Sequence, residues 1–301
     1  MSERITFAHR VEAFFYDVVT GLLRLLPFAW VSAAGGWLLR LIGPLTSKHR
    51  IAERNLRTAF PDANDAEIKR LLRDQWDNTG RTFAEFALTD RIRAFEDDAR
   101  VSVEGLEHFD ANVPAILISG HFANWEVMAT VLTQSEHSVR VTYRKINNPL
   151  IDRRVREQRE AYGTKFLVQK STHRGGRELF EALRSGESIA ILNDQKFNTG
   201  LSLPFFGVPA MTAQGAVRLA MKTKRPVLPM CVVRDGARFH VRFYPPLTWE
   251  RVGEREADVE AGVRAVNAFI EARIRENPAQ WFWVHRRWPK SHYTAHNRAK
   301  S

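Results

Sequence analysis

From about residue 100 onward, short apolar runs alternate with helix-like stretches, and this restricts the fold more than any other feature of the chain. The runs are AILISG (115–120), VRVTYR (139–144), KFLVQK (165–170), SIAILND (188–194) and RPVLPMCVV (225–233). Helix candidates at 124–134, 149–162, 174–185 and 212–223 fall between them. A parallel strand partner can be reached only through a crossover, so alternation on this scale builds βαβ units and a largely parallel sheet. The segment ARFHVRFYPPL (237–247) reads as an added antiparallel edge strand, and 255–276 as a last helix. The predicted class is α/β, a central and mostly parallel sheet flanked by helices.

The first 95 residues are helical throughout. Residues 11–26 and 29–42 form two apolar stretches separated by Pro27. Further on, Asn64 is placed to cap a helix with Glu67 three residues later, as in a capping box. The helix that follows puts Ile68, Leu71, Leu72, Trp76, Thr79, Phe83 and Phe86 on one face. The chain thus divides into 1–95, an N-terminal helical, membrane-associating region, and 96–301, an α/β core with a basic C-terminal tail. The longest uncharged piece, Leu25 to Leu39, is about five residues short of the ~20 needed to cross a bilayer. With Trp30, Trp37 and flanking arginines, it is expected to lie in a membrane interface. A helical hairpin packed on the protein's own core is the alternative.

A net charge of +11 over 301 residues favours anionic partners: acidic phospholipid, a phosphorylated glycolipid, an acidic carrier protein or nucleic acid. Zinc-finger spacing and basic-zipper heptads are absent from the sequence, so nucleic acid is not expected as a partner. The lone cysteine, Cys231, permits no intrachain disulfide and sits in an apolar run as a buried structural thiol. The tail HRRWPKSHYTAHNRAK reads as a solvated, frayed terminus, while Pro204 to Ala213 either lines an acyl groove or simply packs.

Ligands of open parallel sheets bind beyond the carboxyl ends of the strands. Those ends are followed here by His121, by Arg144, and by Asp194 with Gln195. The sharpest element is GHFANWE (120–126), which runs strand, glycine turn, histidine, then Asn124 as N-cap of a helix bearing Glu126. A neutral imidazole is the usual base for a hydroxyl proton, and a carboxylate on its second nitrogen fixes the tautomer. Glu126 in the first helical turn is within reach of that role. As a bare pattern, histidine followed five residues later by an acid is weak, since His173 and Glu178 repeat it. A structural histidine, solvated arginines and an Asp194 that only caps a turn are the competing readings.

These residues, with others in order along the chain, resemble the bacterial lipid A acyltransferases of the lauroyl/myristoyl type. The resemblance includes Leu26-Pro27, Asn55-Leu56 ahead of Phe60-Pro61, Gly80, Glu85, Tyr143-Arg144, Arg159 before Gly163, and Asn193-Asp194-Gln195. It continues through PFFGVPAMTAQGAVRLAMKTKRPVLP and closes on NPAQWFWVHRRWP. It implies His121 and Glu126 as the catalytic HX4E pair, and Arg159 and Asp194 at the substrate site, with Arg156 one helical turn from Arg159 as the alternative arginine; Arg144 joins the substrate site from its place after a strand end. Glycerol-phosphate acyltransferases share the histidine motif but carry Asp where Glu126 stands and a Phe-Pro-Glu-Gly stretch absent here. The implied reaction moves a fatty acyl chain from an acyl carrier protein thioester to a hydroxyl of a lipid A precursor, at the cytoplasmic face of the inner membrane. Neither a metal nor a cofactor is expected, only the acyl carrier as co-substrate. Acylation of another hydroxyl- or amine-bearing membrane lipid, or a non-enzymatic basic membrane-surface protein, are the alternatives.

Overall fold

The computed structural model describes residues 5–97, 99–135, 137–143, 145–161, 163–167 and 173–294. Four helices come first: α1 (Phe7–Leu23), α2 (Phe28–Ile42), α3 (Ser47–Ala59) and α4 (Asp65–Glu85), the last running on into a 3₁₀ turn over Phe86–Arg91. Asn64 caps α4 in a full capping box with Glu67. Its apolar stripe is buried at Ile68, Leu71, Leu72, Trp76 and Thr79, whereas Phe83 is 47% exposed. Gly35 of α2 lies so close to Gly80 of α4 that a Cβ at Gly35 would stand 2.5 Å from the Gly80 carbonyl oxygen. Only two glycines allow the helices to cross at that distance.

The remaining elements are β1 (Val101–Glu104), β2 (Ile116–Ser119), α5 (Glu126–Gln134), β3 (Val139–Thr142), α6 (Pro149–Ala161), β4 (Lys165–Leu167), α7 (His173–Arg184) and β5 (Ser188–Leu192). They continue with β6 (Leu201–Phe205), β7 (Val208–Thr212), α8 (Gly215–Thr223), β8 (Val227–Asp235), β9 (Arg238–Phe243), α9 (Arg255–Glu276) and the short α10 (Lys290–Thr294). The sheet order is β1-β9-β8-β2-β5-β3-β4, and β8, β2, β5, β3 and β4 are mutually parallel. The mostly parallel sheet expected from the sequence is present.

Two expectations need correction. β9 is antiparallel to β8 as foreseen, but it is not the edge, because β1 pairs with its outer side. Val101 and Val103 alternate with polar residues over too short a run to announce that strand in advance. The segment around Pro204 to Ala213 forms a separate antiparallel hairpin, β6–β7, so α8 starts at Gly215 and not near residue 212.

Right-handed crossovers place α5 and α6 on one face of the sheet, because β2→β3 and β3→β4 step the same way across it. The connections β4→β5 and β5→β8 step back, which puts α7 and α8 on the other face. The reversal falls between neighbours β2 and β5. A crevice opens at their carboxyl ends, where ligands of such sheets sit.

Candidate active site

The parallel register of β2 and β5 pairs Ser119 with Leu192. Continued two residues past the strands, it brings His121 opposite Asp194. The two are bonded, His121 Nδ1 to Asp194 Oδ1 at 2.7 Å, and the His121 backbone N–H donates to Asp194 Oδ2 at 2.8 Å. Trp281 Nε1 gives that carboxylate a third donor at 2.7 Å. Gly120 is required here, since a Cβ would meet Asp194 Oδ2 at 3.2 Å and the Phe122 ring at 2.8 Å.

Asp194 is wholly buried. Burial pushes its carboxyl pKa upward, but the His121 imidazole and the hydrogen bonds from His121 outweigh this and leave it below the usual carboxylate range. The group stays ionised, so the proton between the pair belongs to Nδ1 and Nε2 is left as the basic atom. Gln195 Nε2 lies 3.3 Å from that Nε2, and the Trp125 ring stands edge-on to the imidazole at 4.9 Å.

The turn carrying His121 is held from several sides. Ala123 adopts φ +41, a left-handed conformation costly for a residue with a Cβ. Its N–H donates to Gln280 O at 2.7 Å, and its carbonyl accepts from Thr82 at 2.9 Å. Asn124 donates to Glu85 at 2.9 Å and accepts from the Glu126 N–H at 3.2 Å. Buried Glu85 also accepts from Ser32 of α2 at 2.6 Å and pairs with Arg234 of β8, Nη2 to Oε2 at 2.8 Å. Breaking such a buried pair costs about 3–5 kcal/mol, which fastens α2, α4 and the sheet to the histidine turn.

Glu126 does not contact His121 through the imidazole, contrary to expectation. Its carboxylate faces α6 and pairs with Arg159, while Nδ1 is taken by Asp194. The α5 start aims Glu126 across the mouth of the site, and the better buried carboxylate holds the ring. Arg159 reaches the site and Arg156 does not, being exposed and paired with Glu160 at 3.2 Å. Arg144 lies outside the described residues, as does the side chain of His173.

A cavity of about 270 Å³ runs from His121 between α5 and the sheet. Leu117, Met128, Leu132, Val141, Ile191 and Met230 make its walls apolar, and His121, Glu126, Arg159 and Gln195 stand along it as polar groups. This suits a hydrocarbon chain with a reactive head at the base.

Sequence reasoning missed the C-terminal contribution. The first part of the tail is anchored rather than frayed: Arg287 and Trp288 are fully buried with Trp281 and Trp283, Arg286, Lys290, Ser291 and Thr294 are exposed, and 295–300 lie outside the described residues. Arg287 donates to Met211 O at 3.1 Å and Thr212 Oγ1 at 2.7 Å, so the charge enters the core with acceptors waiting. The spacing of three tryptophans in eight residues, WFWVHRRW, was the available signal. Cys231 is buried as expected, its thiol pushed up to about 12 by desolvation.

A profile of the family described as bacterial lipid A biosynthesis acyltransferase matches residues 2–290. The chain is 26% identical to a lipid A biosynthesis acyltransferase of Haemophilus influenzae over 264 residues, covering 84% of this chain and 81% of the relative. It is also 26% identical to the lipid A biosynthesis lauroyltransferase of Escherichia coli K12, covering 79% and 78%. A phosphatidylinositol mannoside acyltransferase of Mycobacterium tuberculosis is 25% identical, covering 62% of this chain and 59% of that one. With the match spanning the sheet, the histidine turn and the tryptophan-rich end, the chain belongs to the bacterial lipid A biosynthesis acyltransferase family and is a membrane-associated acyltransferase.

Proposed function

We propose that this enzyme transfers a fatty acyl chain from an acyl carrier protein thioester to a hydroxyl of a lipid A precursor at the cytoplasmic face of the inner membrane. The observation that supports it most is the single imidazole whose Nδ1 is fixed on buried Asp194 while Nε2 is placed along an apolar cavity. His121 Nε2 takes the hydroxyl proton as the oxygen attacks the thioester carbonyl. The tetrahedral intermediate collapses, the C–S bond breaks, and the leaving thiolate recovers the proton from the imidazolium. Ester and free carrier thiol result, with no change of oxidation state.

Asp194 holds the tautomer and stabilises the imidazolium. Arg159, kept in place by Glu126, meets the acceptor's anionic groups or the developing oxyanion, where a planar guanidinium with several donors is well suited. The net charge of +11 suits an acidic carrier and anionic headgroups alike.

The test is reconstitution in detergent with acyl carrier thioester and an acylated, phosphorylated disaccharide acceptor, reading free thiol and glycolipid mass. His121→Ala is expected to lower turnover about 10²–10⁴-fold in a protein that still folds. Retention of more than about a tenth of the rate would remove His121 as the base. The mycobacterial relative favours one other acceptor, a phosphoinositol glycolipid. Running both acceptors side by side decides between them.

A further inference from the structure

A second apolar cavity, of about 500 Å³, lies beneath α1. Its walls are α1 (Phe15, Tyr16, Val19), the turn after α4 (Phe86) and α6 (Ile151, Val155). Among the described residues, Glu126 and Arg159 alone line both this cavity and the one at His121. The ion pair is therefore the partition between two apolar chambers.

Acyl transfer to a lipid brings two hydrocarbon-bearing partners to one hydroxyl, and here two chambers flank one ion pair beside one base. We propose that the chamber under α1 holds the hydrocarbon chain of the acceptor lipid, the sheet-side chamber holds the donor's acyl chain, and Glu126–Arg159 is the threshold at which the acceptor hydroxyl reaches His121. This rests on the acyl-transfer reading above and adds to it a second lipid subsite.

The direction of the assignment follows from what each chamber adjoins. The outer surface of α1 is continuous apolar exposure: Phe7 is 81%, Phe14 62% and Leu22 60% exposed, a surface suited to a bilayer and to a lipid arriving from it. The sheet-side chamber is walled by core residues of β2, β3, β5 and α5 instead.

The roof is also lightly attached. Ala13 is the sole buried residue of α1. The helix is clasped by polar contacts: Asn148 to Glu12 at 2.8 Å, Arg154 Nη2 to Asp17 at 2.7 Å and Arg24 Nη2 to Asp90 at 2.7 Å. The two arginine pairs are solvent-accessible and hold weakly, so the roof lifts to admit a chain without opening the core.

The test uses the full chain in detergent micelles and a phosphorylated disaccharide lipid carrying a photoreactive diazirine on one acyl chain. After irradiation, mass spectrometry is expected to find the label on α1 and α6 peptides containing Tyr16 or Val155. Label on the α5 peptide containing Met128 and Leu132 would overturn the proposal. This readout needs no turnover, so a failed transfer assay would count against the function while leaving the subsite standing or falling on its own. In the turnover assay, Val155→Trp and Val19→Trp, from opposite walls, are expected to raise the acceptor KM about tenfold or more, the loss of roughly two buried methylenes. The donor KM should stay within about twofold. A rise in donor KM alone would show that the chambers are assigned the wrong way round. No change in either constant, with both variants folded, would show that the chamber takes no substrate.

Discussion

Trp30 and Trp37 on α2 are 68% and 59% exposed, while Trp281, Trp283 and Trp288 near the other end of the chain are wholly buried. Their sequence surroundings suggest the reverse. The N-terminal helices are apolar with few charges, whereas 285–294 carries Arg286, Arg287 and Lys290. Burial follows available partners more closely than local hydropathy. The N-terminal segment has more apolar surface than its own core covers: only 28% of the apolar stretch Phe28–Leu45 is buried. The basic end finds carbonyls, a threonine hydroxyl and an aromatic bed, and it closes the floor of the active site. Phe282 N–H donates to His121 O at 3.0 Å, and Trp281 donates to Asp194.

That contrast can be broken most forcefully at the carboxylate enclosed by the C-terminal end. Asp194→Asn is expected to lower kcat by about 10²–10⁴-fold, because an amide leaves the imidazole in the wrong tautomer and the imidazolium unstabilised. Glu126→Gln leaves the His121–Asp194 pair intact and is expected to cost about tenfold at most, chiefly in the acceptor KM. Equal losses in kcat would return Glu126 to the role of partner to the base.

Next in size is the packing. Trp288→Ala is expected to cost about 3–5 kcal/mol of stability in denaturant unfolding, the usual range for a large buried aromatic. A loss under about 1 kcal/mol would mean that the C-terminal end only rests on the core.

His285 supplies a pH test of the same region. Burial lowers its pKa to about 4, against about 6.5 when unfolded. Between these values the unfolded chain binds a proton that the folded chain refuses, so stability falls as pH drops from about 6.5 to about 4. The loss is on the order of 2–3 kcal/mol across that window. His285→Gln should flatten this part of the midpoint–pH curve, and a curve parallel to wild type would place His285 in solvent.

The smallest effect on stability, and the sharpest contrast with Trp288, belongs to the exposed indoles. Trp30→Ala with Trp37→Ala is expected to change stability by no more than about 0.5 kcal/mol. The same variant should leave membranes during a high-salt wash that wild type resists, since salt screens charge within about 8–10 Å but does not weaken apolar contact. A stability loss of several kcal/mol would show that these helices pack as a core hairpin. Removal of all residues before Arg50 is a poorer probe, because Ser32 and Gly35 of α2 are built into the contacts of Glu85 and Gly80.

Several features were legible without coordinates because they depend on neighbours in the chain. The five parallel strands, the capping box at Asn64, the turn after β2 that presents His121, and the site's position at strand carboxyl ends all follow from periodicity and local residue chemistry. Arg144 was equally prominent in the sequence but lies outside the described residues. Which carboxylate the histidine would face was not legible. Glu126 is five residues away and Asp194 is 73, yet the pairing of Ser119 with Leu192 fixes the distant one. Strand order and register are properties of residues far apart in sequence, chosen by which apolar faces pack together, and a one-residue slip would move every side chain to the other face. The same holds for Arg287, whose burial depends on acceptors supplied by the β6–β7 hairpin. Local sequence determined which groups stand at the rim; long-range packing decided which of them touch.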